Sequence, residues 1–218
     1  MKHIALLTTL LLSASLQAVE KPYDYVFFEN SLMKGDYFYS QAKYTSPSWI
    51  KNARHHLPVA GSVAFTPGNS LELTYVSAPG GDWYSEIQYC PVRGNDFFRE
   101  PSTLSMQVRL RESMNAAALP NIAIRYADST YTQYLNLRNY LKDTRPGVWH
   151  SVSIPLKDFG LNAVNDTNIK KLAAVALRPG TADGNEYTIY LDDIELLPAS
   201  LPSVSALNAP VLQEAKAY

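Results

Sequence analysis

Short runs of alternating apolar and polar residues dominate the chain. Residues 104–111, Leu-Ser-Met-Gln-Val-Arg-Leu-Arg, alternate without a break, and a period of two is that of a strand with one buried face. Residues 71–76 alternate in the same way, with Leu71, Leu73 and Tyr75 on one side. Residues 23–29, 83–89, 122–126, 134–137, 149–154 and 187–196 are further strand candidates, rich in aromatic and β-branched side chains, and 173–177 reads as a buried strand. Turn residues separate these runs: Pro67-Gly68-Asn69, Pro79-Gly80-Gly81, Arg93-Gly94-Asn95, Arg145-Pro146-Gly147 and Asp183-Gly184-Asn185. About ten short strands at this spacing, with no long helical period, predict an all-β antiparallel β-sandwich. Helix is confined to single turns near 156–159 and 167–171. Trp49, between Pro47 and Pro58, is expected in a loop.

The two ends differ from the middle. Residues 1–18 open with a basic Met1-Lys2-His3, continue through an apolar run and end in Leu16-Gln17-Ala18, the order of a secretory signal peptide. The run is shorter than the roughly 20 residues that span a bilayer, and no later segment is apolar enough to cross one. The expectation is an exported protein, periplasmic, cell-surface or extracellular, in a setting that fits a bacterium. Residues 19–197 then form the β-sandwich domain. Residues 198–218 read as a linker rich in Pro, Ser and Ala, followed from Pro210 by the look of an opening strand or by a disordered tail.

Composition narrows the function. The 19 basic and 20 acidic residues are intermixed, for a net charge of −1, and no basic block supports a nucleic-acid surface. The single cysteine, Cys90, cannot form an internal disulfide, and with no basic cluster beside it the thiol reads as buried and inert. The chain holds fifteen Tyr and three Trp against seven Phe. Tyr and Trp are the aromatics that pack on one face and hydrogen-bond at an edge, so their excess suggests a binding surface as well as sheet packing.

From Gly147 onward the residues carry a recognisable order: Gly147-Val148-Trp149, then Ile154-Pro155-Leu156, then a strand, then Ile189-Tyr190-Leu191-Asp192-Asp193-Ile194. With the early Phe27-Phe28-Glu29, this order resembles the galactose-binding-like jelly rolls of carbohydrate-binding modules, those attached to bacterial β-glucanases being nearest. The resemblance covers roughly residues 24–197. It implies a jelly-roll sandwich with a carbohydrate ligand on a concave sheet face. It further implies a structural Ca²⁺ held by Asp193 and Glu29, since a hard cation takes carboxylate and carbonyl oxygens. The residues themselves leave another reading open, in which Asp193 accepts backbone amides or pairs with an arginine. The C-terminal segment from Pro210 resembles the first strand of a fibronectin type III domain, which implies a following domain, catalytic or fibronectin-like.

Ligand-binding candidates are segments that mix rings with hydrogen-bonding groups. Arg125, Asp128, Tyr131, Gln133 and Tyr134 form the densest. Trp83 and Tyr84 follow the Gly80-Gly81 turn and point to opposite faces, so one ring is expected in the cleft. Arg178, after the buried strand, completes the set. Three functions fit: a non-catalytic polysaccharide-binding domain, with β-glucan as the first choice by resemblance; a spacer that docks a glycoside hydrolase; or a glycan hydrolase or lyase. The last needs two carboxylates flanking the scissile bond. Glu86, Glu100 and Asp128 lie near aromatic segments, but no spacing singles out a pair.

Overall fold

A computed structural model describes residues 25–89, 101–161 and 171–198. The leader expected at 1–18, Cys90, the turn expected at Arg93-Gly94-Asn95, the helical turn read at 167–171 apart from Lys171, and the C-terminal segment lie wholly or mainly outside them. Twelve strands occur among the described residues: β1 Tyr25–Phe28, β2 Ser40–Thr45, β3 Trp49–Ile50, β4 Val59–Ala60, β5 Ser70–Val76, β6 Asp82–Gln88, β7 Pro101–Leu110, β8 Asn121–Tyr126, β9 Leu135–Asn136, β10 Trp149–Pro155, β11 Leu172–Arg178 and β12 Glu186–Pro198. They form two antiparallel sheets. One has seven strands along β10-β7-β12-β5-β3, with β1 added to β12 and β4 to β5; the other has five, β2-β6-β11-β8-β9.

The alternation read in the sequence sets the inner faces. Leu104, Met106, Val108 and Leu110 of β7 point inward beside Val152 and Ile154 of β10, Ile189 and Leu191 of β12, and Leu71, Leu73 and Tyr75 of β5. Trp83 and Ile87 of β6, Ile122 and Ile124 of β8, and Val175 and Leu177 of β11 meet them from the five-stranded sheet. Buried tyrosines reach backbone carbonyls through their hydroxyls. Tyr75 donates to Ala118 at 3.0 Å, Tyr37 to Phe27 at 2.7 Å, and Tyr25 of the larger sheet to Leu172 of the smaller one. Each phenol thereby keeps its polar end satisfied inside an apolar core.

The structure departs from the sequence reading at short elements. Trp49 lies on a strand and not in a loop: Trp49 and Ile50 pair with Val76 and Tyr75. Strands β2 and β4 lack a readable alternation; β2 has Lys43, Tyr44 and Thr45 all exposed. The run 134–137 shrinks to Leu135–Asn136, because the Asn136 side chain then caps a 3-10 turn by accepting from the Arg138 amide. The turn expected at 156–159 is present and ends at Gly160 in the left-handed region, φ 85°.

Trp83 is 1 % exposed and its ring packs on Tyr75, centroids 4.8 Å apart, while Nε1 donates to the Ser77 hydroxyl at 2.9 Å. It is a core residue. Trp83→Ala is expected to lower unfolding free energy by about 3–5 kcal/mol, read by urea denaturation. A loss under 1 kcal/mol would contradict this packing.

Candidate functional site

The outer face of the five-stranded sheet collects most of the sequence-predicted residues. On β6 the same alternation that turns Trp83 inward turns Tyr84 and Glu86 outward. Of the two rings that follow the glycine turn, Tyr84 is therefore the one facing out, and Trp83 is withdrawn from any ligand on this face. Register sets the neighbours. Glu86 lies opposite Ala176, which lies opposite Ala123, and Ala174 lies opposite Arg125. Arg178 follows the Leu177–Ser85 pair and so comes level with Tyr84.

After β8 the chain reverses through a tight turn. Asp128 accepts from the Thr130 amide at 3.0 Å and hydroxyl at 2.6 Å, and Ser129 sits at φ 69°. These bonds hold the exposed Asp128 carboxyl below its usual range. The return segment pairs Tyr131 with Arg125 and places Thr132 against Ile124. Tyr131 and Tyr134 thereby rise beside the sheet, rings 6.0 Å apart and inclined by 28°.

A polar network ties these side chains together. The Tyr84 and Tyr131 hydroxyls are 3.2 Å apart, and Tyr131 donates to Glu86 Oε1 at 3.2 Å. Arg125 Nε lies 2.6 Å from that same oxygen, with both side chains mostly buried. The Nε–H is not aimed along this contact, so we read it as an ion pair held by charge more than by a directed hydrogen bond. Arg178 stands with its guanidinium carbon 5.7 Å from the Tyr84 ring centre and 5.4 Å from that of Tyr134, within reach of a cation–π contact. Burial, then the contacts with Glu86 and Tyr131, push the Tyr84 phenol far above its ordinary pKa. Burial also raises Tyr134, against the opposing pull of Arg178. The Tyr134 hydroxyl is buried and makes no well-formed hydrogen bond.

Beneath these groups Ala123, Ala174 and Ala176 are wholly covered, although they belong to the outer face. These small side chains sit low on the sheet, and Tyr84, Glu86, Arg125, Tyr131, Tyr134 and Arg178 cover them and line the shallow trough read above them. The sequence reading missed these alanines, and it weighed Glu86 only as a possible acid. The alternate alanines at 174 and 176 were the signal, hidden because a run of small apolar residues also reads as ordinary buried strand. Gln133 and Asp128 stand outside the trough. Gln133 donates to the Asp158 carbonyl, and Tyr140 donates to the Asp158 carboxylate at 3.0 Å.

The aspartate pair lies elsewhere, on β12. Asp192 is wholly buried and accepts from the Phe65, Thr66 and Asp193 amides at 2.8, 3.2 and 2.9 Å. Burial pushes its carboxyl up to about 6 against the pull of those amides. The backbone-amide reading thus describes Asp192. Asp193 sits at φ 45° where the β12–β7 register shifts, and accepts the Thr66 hydroxyl at 2.8–2.9 Å. Glu29 lies just past the end of β1, whose last pair joins Phe28 to Ile194, the residue after Asp193. Among the described residues, no three His, Cys, Asp or Glu side chains cluster in metal-binding fashion.

The family model for Carbohydrate binding domain 30 matches residues 24–197. An exo β-1,2-glucooligosaccharide sophorohydrolase (non-reducing end) of Parabacteroides distasonis is 99% identical over all 218 residues, and the chain spans 30% of that relative's length. A solved β-1,2-glucanase of Parabacteroides distasonis superposes with TM-score 0.83 at 99% identity, over 91% of this chain and 28% of that one. A family 30 carbohydrate-binding module from a cellulosomal cellulase of Clostridium thermocellum shares the fold at TM-score 0.56 and 15% identity, over 82% of this chain and 99% of that one.

Removing one partner of the Glu86–Arg125 pair strands the other charge in a poorly solvated place. Glu86→Ala is expected to cost about 3 kcal/mol, and the double variant Glu86→Ala/Arg125→Met to recover much of it. Urea unfolding of both reads the difference. Equal losses in the two would show that the charges do not depend on each other.

Proposed function

We propose, from the premise that this chain belongs to the Carbohydrate binding domain 30 family, that the trough on the five-stranded sheet holds a glucan for a longer glucan-active enzyme. The chain itself is a non-catalytic carbohydrate-binding module. The observation that carries the placement is the coincidence, on one face, of tyrosine rings, the paired charges of Glu86 and Arg125, and Arg178 beside two of the rings. A sugar ring offers C–H groups on its faces and hydroxyls round its edge. Tyrosine rings meet the first and phenol, carboxylate and guanidinium groups the second. Glu86 and Arg125 cancel each other, which suits a neutral polymer and leaves Arg178 as the exposed donor.

Both near-identical proteins are described as acting on β-1,2-linked glucose, so a β-1,2-glucan is the ligand we assign. The signal-peptide order of residues 1–18 supports a module that meets this glucan outside the cytoplasm. Titration calorimetry with β-1,2-, β-1,3- and β-1,4-gluco-oligosaccharides tests the assignment. Binding of the β-1,2 series is expected, weakened about tenfold by Tyr131→Ala or Tyr134→Ala, the size of one lost ring contact of about 1.4 kcal/mol. Affinity untouched by both variants would move the ligand off this face, and no heat with any glucan would overturn the reading.

We also propose a structural Ca²⁺ beside β12. What supports a hard cation is that Glu29 lies just past the end of β1, whose last pair is Phe28 with Ile194 next to Asp193, and that the buried Asn30 Oδ1 beside Glu29 has no donor. Amide and carboxylate oxygens of this kind are what Ca²⁺ takes. At a hundredfold excess over its Kd, Ca²⁺ would add about 3 kcal/mol to stability. Melting should therefore shift downward with chelator and recover with Ca²⁺, and Asp193→Ala should remove the difference. Identical melting in chelator and in millimolar Ca²⁺ would sink the proposal.

A further inference from the structure

The opposite face of the sandwich carries a second row of rings and charges that the trough does not use. On the seven-stranded sheet Trp149 lies level with Arg109, Arg109 with Tyr190, and Tyr190 with Glu72. The inner face of β7 is formed by its even-numbered residues, Leu104 to Leu110. Arg109 and the partners level with it therefore stand on the outer face. All four side chains are half-buried. Trp149 and Tyr190 are two strands apart, about 10 Å, with a guanidinium between them.

Two features make this row more than a stripe of surface residues. Arg109 Nε is buried and has no hydrogen-bond partner, so a donor sits between the two rings with nothing to receive it. The loop tied down by Asp192 then forms a wall along the row. Asp192 lies on this face level with Gln107, and its grip on the Phe65 and Thr66 amides folds the loop over the sheet. The loop presents Phe65, 50% exposed, edge-to-face with Trp149 at 6.0 Å. The loop that Asp192 ties down thus holds the Phe65 ring half in solvent beside Trp149.

We propose that this groove is a second glycan-binding site. It is lined by Trp149, Arg109 and Tyr190, walled by Phe65, and separate from the trough. Two rings flanking one donor meet two sugar rings and the hydroxyls between them. The only carboxylate in the row, Glu72, is already engaged by Lys51 at 2.6 Å, so the row offers the arginine, the indole N–H and the phenol as hydrogen-bonding groups, and an acceptor-rich sugar polymer fits them. The assignment rests on this face alone and stands whether or not the trough binds.

Calorimetric stoichiometry of the full chain with short gluco-oligosaccharides of β-1,2 and β-1,4 linkage tests it. The expected result is two oligosaccharides per chain. Tyr131→Ala should leave the groove, Trp149→Ala should leave the trough, and the double variant should bind neither. Arg109→Met and Tyr190→Ala, which remove less volume, should each weaken the groove about tenfold and serve if Trp149→Ala does not fold. A single site insensitive to Arg109→Met and Tyr190→Ala would overturn the proposal. So would a change in self-association on sedimentation with stoichiometry unchanged, which would mark a protein-docking face instead. Loss of the Tyr131-dependent site alone would count against the trough and leave the groove intact.

Discussion

A β-strand gives each residue one of two sides, and almost everything in this domain follows from that constraint. On β6 it decides that Trp83 fills the core while Tyr84 and Glu86 face outward. On β7 it separates Leu104, Met106, Val108 and Leu110 from Arg109. A slip of one residue in either strand would bury a charge and expose the core, so the register that packs the sandwich also places the functional groups. Site and core are therefore two readouts of one alternation.

What distinguishes the two faces is the size of the residues between the large ones. On the five-stranded sheet Ala123, Ala174 and Ala176 sit in the middle strands with tyrosines and arginines round them. The larger neighbours lean over the methyl groups and cover them. On the seven-stranded sheet the relief comes from a loop laid over the sheet by Asp192. The cost of burying that carboxylate shows in its raised pKa, and three amide donors offset it. A buried acid that closes a loop this far away in sequence is a long-range tether with no local sequence signature.

This difference explains which parts were legible beforehand. Long strands with strict alternation, such as 104–110, announce themselves, and so does the order from Trp149 to Asp193. Tyr84, Arg125, Tyr131, Tyr134 and Arg178 could be selected because they mix rings and charges, and the fold brings them to one place. Trp83 could not be sorted from Tyr84, since the sequence gives parity but not which parity faces the core. The two-residue strands at Trp49–Ile50 and Val59–Ala60 are set by pairing with β5, and so few residues carry no period. Asp128 has the right chemistry for a ligand but spends it on its own turn, as short acidic side chains in turns commonly do.

The two faces lie back to back, with about 10 Å of core between the sheets, and a short oligosaccharide on one cannot reach the other. A long glucan can, either by curling round the sandwich or as a second strand of polymer. In both cases the second contact forms at the high local concentration set by the first, so avidity for a polymer can exceed the affinity of either face for a fragment. A linkage that makes the chain turn favours curling, whereas a straight chain favours bridging two strands. With two such faces, a module that touches a short fragment on one face and a long chain on both would hold polymer and release short fragments.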